Sequence, residues 1–390
     1  MKRHFERQAT YCSAFGADLT ARLLRRLPDC ISPNSALGQR ITNWPGDPAP
    51  EADNLPLRLA GGLHALLLSA KARDLAPIYR SGAMADAELP AVLRSVLQRH
   101  DPELTAFIAN APQTNEVRRA AGLVAAAHWL KAYTGCDLIA SELGASAGLN
   151  LVFDRFHLAV GQGYGPPDSP VQLTPKWQGS LPPAAPYLLR DAQGCDLAPL
   201  DLRQKQDLLR LHAYIWADQP ERRARTDAAI SLNPPLPKKS SAIEFLRQRL
   251  AAPWSSCHLI YSTVAWQYFS KEEKRQITEL ITTRGAESQA PLAWLRIEAD
   301  GKSPGAGMRL DLWPEQKRIE LGRMDFHGRW ITWTAPKPRA QHAKRYRNQC
   351  RWPASRALLS GAFDGFFPRW LLQYLRPRYR QSHSLCGDDH

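Results

Sequence analysis

A doubly wound α/β fold with a mostly parallel sheet is predicted for residues 113–336, on three observations. CDLIASELG (136–144) is a short apolar stretch that runs into a glycine-bearing turn, and LNLVFDRF (149–156) resumes helical spacing behind it. This reads as strand, glycine loop, helix. HLIYSTVAW (258–266), KEEKRQITELITTRG (271–285) and PLAWLRIE (291–298) then alternate strand, helix and strand, the order that builds a parallel sheet. Finally, GMRLDLWP (307–314) and RIELGRMDFHGRWITW (318–333) hold strands with no helix between them, as an antiparallel closing hairpin does.

The remaining elements follow in order. Residues 1–112 read as a helical N-terminal region, with Leu19–Leu27 and Leu55–Ala70 separated by Pro/Gly breaks. A helix is expected from Thr114 or Asn115 to about Tyr133, with His128 on its core face beside Val117, Ala121 and Val124. Residues 157–187 hold seven prolines and read as a hairpin or extended insertion placed to cover the site. YLLRDAQGCDLAPLD (187–201) is a strand, Arg203–Ile230 one long or two short helices, and Gly285 the C-terminal cap of the helix before it.

Composition excludes several classes. Of 390 residues, 44% are hydrophobic and 23% charged, the balance of an ordinary globular chain. No apolar run approaches the roughly 18 residues of a membrane span. The basic N-terminus lacks an apolar core and carries Glu6 and Asp18, so a cytoplasmic location is expected. The seven cysteines are scattered without a CxxC pair and are read as reduced thiols. Of the net charge of +14, residues 337–390 carry +8. That tail mixes basic and aromatic residues (QHAKRYRNQCRW, FFPRWLLQYLRPRYR) as contacts with nucleic acid or an anionic membrane surface do, or it is a solvated extension.

The sharpest chemical signal is SELGASAGLN (141–150), where Gly144 frees the turn and Gly148 admits the following helix. It resembles the acidic-x-Gly-x-Gly-x-Gly motif of the class I S-adenosylmethionine methyltransferases, with Ser146 in place of the central glycine. A final antiparallel hairpin is also that superfamily's habit. The resemblance implies that Glu142, Gly144, Ser146, Gly148 and Asn150 form the cofactor loop. Asp196, at the end of the second strand, would accept both ribose hydroxyls. A Cβ at the turn would block the cofactor. Asn115, Ser262, Trp266 and Gln267 are the expected substrate contacts, and Tyr268 and His327 the candidate general bases. No metal ligand set is expected.

LPLRLAGGLHAL (55–66), QTNEVRRAAG (113–122), WADQPERRAR (216–225) and PLAWLRIE also resemble a bacterial family known as a domain of unknown function, over about residues 5–335. This chain has Ser240, Ser241 and Ala242 where that family tends to an acidic Gly-Asp-Ala word. Two polar clusters stand apart from the loop. Gln113, Asn115, Glu116 and Arg118 either cap a helix or face the crevice. Asp218, Gln219 and Arg222, near Trp216, fit a functional cluster or helix-end ion pairing equally well. No nucleophile elbow, phosphate-binding P-loop or HExxH word occurs. The expectation is a methyltransferase of unknown acceptor using S-adenosylmethionine. The alternative is a non-catalytic module on the same fold that binds a nucleotide-like ligand or a partner, and a nicotinamide dehydrogenase stands third.

Overall fold

Two differently patterned parts of the chain make three apolar cores, one helical and two on the sheet, in the computed structural model, which describes residues 1–79, 84–113, 115–339 and the single positions 343, 346 and 350. The first core is helical. Helices Lys2–Ala14, Asp18–Arg26, Leu55–Leu68 and Leu89–Arg99 bury Phe5, Leu24, Leu59, Leu63 and Leu93, apolar positions spaced at three and four.

The other two lie on a nine-stranded sheet, one around Leu138, Leu259 and Leu295 and one around Leu143, Ile260 and Trp294. The strands are β1 (Leu138–Leu143), β2 (His157–Leu158), β3 (Gln172–Leu173), β4 (Lys176–Gly179), β5 (Leu189–Asp196), β6 (Lys238–Lys239), β7 (Cys257–Thr263), β8 (Leu292–Glu298), β9 (Ala306–Trp313), β10 (Lys317–Met324) and β11 (Trp330–Trp333). Strand order is β4-β11-β10-β9-β8-β7-β1-β5-β6, with β2 and β3 forming a separate pair. Strands β6, β5, β1, β7 and β8 are parallel. The central three, β1, β7 and β8, are mostly apolar because both faces are covered, and β7 is buried at every residue. From β1 the chain steps outward to β5 and β6, then returns to β7 and β8 on the other side. The sheet therefore has a switch point between β1 and β7, where the carboxyl ends of the strands leave a crevice.

The structure corrects several sequence expectations. Residues Leu149–Arg155 form a 3₁₀ run kinked at Val152 instead of an α-helix. The helix expected from Thr114 or Asn115 begins as a 3₁₀ turn at Val117–Arg119 and continues as Ala120–Thr134, and Thr114 lies outside the described residues. His128 is buried on it against Tyr164 and Tyr187, and burial lowers its pKa to about 4. The 157–187 insertion packs those tyrosines there and sends β4 to the far edge of the sheet, parallel to β11. Strands β9, β10 and β11 form a three-stranded antiparallel meander on β8. Gly285 is no cap: it lies inside helix Lys271–Glu287, where a Cβ would sit 2.6 Å from the Trp313 ring. Two of the cysteines read as free thiols, Cys136 and Cys350, form a disulfide with Cα atoms 5.6 Å apart. Cys12, Cys30, Cys195 and Cys257 are free and buried. Among the described residues no helix is long and apolar enough to cross a membrane. Most of the basic tail lies outside the described residues.

Candidate functional site

The glycine loop leaves the carboxyl end of β1 beside β5 and β7. Gly144 and Gly148 both take left-handed backbone, φ 75° and 74°, which a residue with a Cβ resists. Space reinforces this. A Cβ on Gly148 would lie 2.4 Å from the Pro235 carbonyl oxygen, and one on Gly144 would lie 2.8 Å from the Ala265 methyl. At Gly144, among the described residues, the Ala265 methyl is the one atom within 4 Å of such a Cβ. Ser146 is also left-handed, at φ 52°.

Neighbouring strands hold the loop. The amides of Gly144 and Ala145 donate to the Cys195 carbonyl at 3.0 and 2.9 Å, and the Gly148 amide to the Ala145 carbonyl at 2.7 Å. Asp196 Oδ2 accepts the Ser146 amide at 2.9 Å and Oδ1 accepts the Ala198 amide at 2.9 Å. From the other side, Gln113 Oε1 accepts the Ser146 hydroxyl at 2.5 Å, and Asn115 Nδ2 donates to the Ala145 carbonyl at 2.9 Å. Asn115 Oδ1 is buried without a hydrogen-bond partner, as is Asn150 Oδ1 beneath the loop.

Glu142 is buried under the loop, where the Tyr261 hydroxyl donates to it at 3.3 Å. Burial drives its pKa up to about 8, against hydrogen bonds from Tyr261 and Asn150, so it is largely neutral at pH 7. Ser262 is buried beside Glu298, whose pKa burial also raises. Trp266 packs against Trp294 and Phe269. Gln267 and Tyr268 stand on the surface, Tyr268 being 70% exposed. His64 belongs to the helical core, stacked on Tyr79.

A second feature opens nearby and unites the two polar clusters that the sequence shows separately. Glu116 is only 2% exposed and pairs with Arg222 at 2.8 Å. Arg225 lies 3.9 Å and His327 Nδ1 3.6 Å from the same carboxylate. Burial alone would raise the Glu116 pKa, but Arg222, His327 and Arg225 hold it well below the usual range. His327 is pushed down, first by burial and then by Arg222 and Arg119, against Glu116, so the imidazole is neutral at pH 7. Together with Phe15, Gly16, Arg118, the Asp218–Glu221 turn and Arg329, these groups enclose a cavity of about 290 Å³. Arg119 joins it to the sheet, donating to the carbonyls of Thr263 at the end of β7 and of Phe326. His327 was legible as a candidate base. The placing of Arg225 and Phe15 here was not, because their partners, Glu116 for one and Trp216 and His327 for the other, lie in loops far away along the chain. Among the described residues no group of three or more His, Cys, Asp or Glu could hold a metal ion.

No curated protein and no solved structure matches the chain. A family match runs over residues 2–333, taking in the helical N-terminal region, the glycine loop and the cavity, and the chain therefore belongs to the family described as uncharacterized protein conserved in bacteria, DUF2332.

Proposed function

We propose that this protein is an S-adenosylmethionine-dependent methyltransferase whose cofactor lies along the Gly144–Gly148 loop. The observation that carries the reading is the orphan acceptor Asn115 Oδ1, buried beside the loop at the sheet's switch point. A buried carbonyl left without a donor costs about 1–3 kcal/mol, which an amino group of a ligand would recover. The rest of the loop's surroundings fit the same ligand. An ionised carboxylate offers about four lone-pair sites, and the two amides on Asp196 leave room for ribose hydroxyls. Leu197 and Tyr268, exposed apolar residues just past the ends of β5 and β7, suit the face of an adenine. When bound, the cofactor supplies an electrophilic methyl group. The chain's part is to fix the acceptor in line with it and, through neutral His327, to take a proton from an acceptor seated in the Glu116 cavity.

Calorimetry with S-adenosylmethionine and S-adenosylhomocysteine tests this. Saturable binding of both, weakened at least tenfold by Asn115→Ala, is expected, and no heat from either at millimolar concentration would overturn it. A second reading, a module that binds such a ligand without turnover, is favoured by one specific observation. The amides of Gly144, Ala145, Ser146 and Gly148 all have acceptors within the protein already. Labelled product from a radioactive methyl donor separates the two.

A further inference from the structure

The Glu116 cavity holds guanidinium donors that its carboxylates leave without hydrogen bonds. Arg222 is buried, yet its Nε, 2.8 Å from Glu116 Oε2, is out of line for a hydrogen bond and has no other acceptor. Arg225 Nε is buried and unpartnered too. One carboxylate is thus shared between two guanidiniums that a pair of aligned acceptors would normally hold. Arg118, on the same wall, has no side-chain ion pair or hydrogen bond among the described residues. Arg329 is already neutralised by Asp325 and lies over the Phe15 ring.

We propose that this cavity is a binding site for a small metabolite carrying a carboxylate or phosphate, taken by Arg118, Arg222 and Arg225. The fork of a guanidinium matches two oxygens of either oxyanion, and its unfilled donors are what such a group completes. The same lining also carries acceptors: Asp218, fixed by the Leu19 amide and the Thr20 hydroxyl at 3.0 Å each, and Glu221. A ligand with a hydroxyl or amine beside its oxyanion would find partners there. A volume of about 290 Å³ is enough for a small metabolite. Burial lowers the Arg225 pKa, and repulsion from Arg118 and Arg222 adds to it against Glu116 and Glu221; an entering anion relieves that repulsion. The assignment stands independently of the methyl donor.

The test uses the full chain with inorganic phosphate and with succinate, each against chloride at matched ionic strength, read by thermal unfolding and calorimetry. One oxyanion is expected to raise the melting temperature above the chloride control and to bind saturably. Preference for phosphate marks a phosphate ester as the natural ligand, and preference for succinate a carboxylate. Arg118→Ala, which has no ion pair to lose and so folds as the parent, should weaken binding at least tenfold, whereas Arg247→Ala, on an exposed position of helix Ala242–Arg249, should not. Equal behaviour of oxyanions and chloride, or an Arg118→Ala protein that binds as the parent does, overturns the proposal. Oxyanion binding without any binding of S-adenosylmethionine would sink the methyltransferase reading and leave this one in place.

Discussion

The amide of Ser146 donates to Asp196 Oδ2 over 2.9 Å, so the carboxylate at the end of β5 anchors the glycine loop. Its other oxygen holds the Ala198 amide. Asp196→Ala leaves both donors without their acceptor and should cost about 1–3 kcal/mol of stability. Asp196→Asn keeps one acceptor oxygen and should cost less. Urea unfolding of the two variants checks the order, and an alanine variant as stable as the parent would show that the loop does not depend on this residue.

Gly144→Ala should destabilise the protein even with no ligand present. The left-handed backbone costs roughly 1–2 kcal/mol for a residue with a Cβ, and the new methyl would lie 2.8 Å from that of Ala265. A melting temperature lowered by several degrees is the expected reading. An unchanged one would mean that β1 and the turn after β7 are further apart than described.

Glu142 gives stability a defined dependence on pH. Folding raises its pKa from 4.5 to about 8, so the folded state binds the extra proton. The contribution is complete below pH 4.5 and is lost as pH rises toward 8. Glu142→Gln has nearly the same shape and no charge to lose, so its stability should change less across that window, and it should exceed the parent by a few kcal/mol, as an upper bound, at the alkaline end. Parallel stability curves for the two proteins would contradict a neutral Glu142.

Peptide mapping without reductant should recover Cys136 joined to Cys350. Closing a loop of that length, a separation of 214 residues, stabilises by about 5 kcal/mol at most in the chain-entropy account. Reductant should therefore lower the parent's melting temperature and leave that of Cys136→Ser alone. Only free thiols in the map would remove the link.

What the sequence revealed depended on whether a signal was local. Strands β1, β7 and β8 were readable because a strand buried on both faces is a short apolar run. Gly144 and Gly148 were readable because their backbone demands glycine whatever surrounds it. The 149–156 segment was misread because Leu149, Val152 and Phe153 have helical spacing, while nothing local reports the Val152 kink. The Cys136–Cys350 pair has no spacing signature at all. The cavity was visible only as two unrelated polar words, since Glu116, Arg222 and His327 meet through the order of the sheet and not through any local pattern.

The Cys136–Cys350 link also sets a direction for the molecule. Cys136 stands just before β1, and a Cβ on Gly135 would meet the Ala343 side chain at 3.5 Å, so the described chain past β11 is moored at the pole of the sheet where β1 begins. The glycine loop is at the other pole, six residues of strand away, about 20 Å. Phe15 and Gly16, by contrast, form part of the cavity wall. The two flanks of the described chain are therefore unequal. Cys350 stands at the pole remote from the loop, while a bulky fusion at Met1 is separated from the cavity by little more than the single helix Lys2–Ala14.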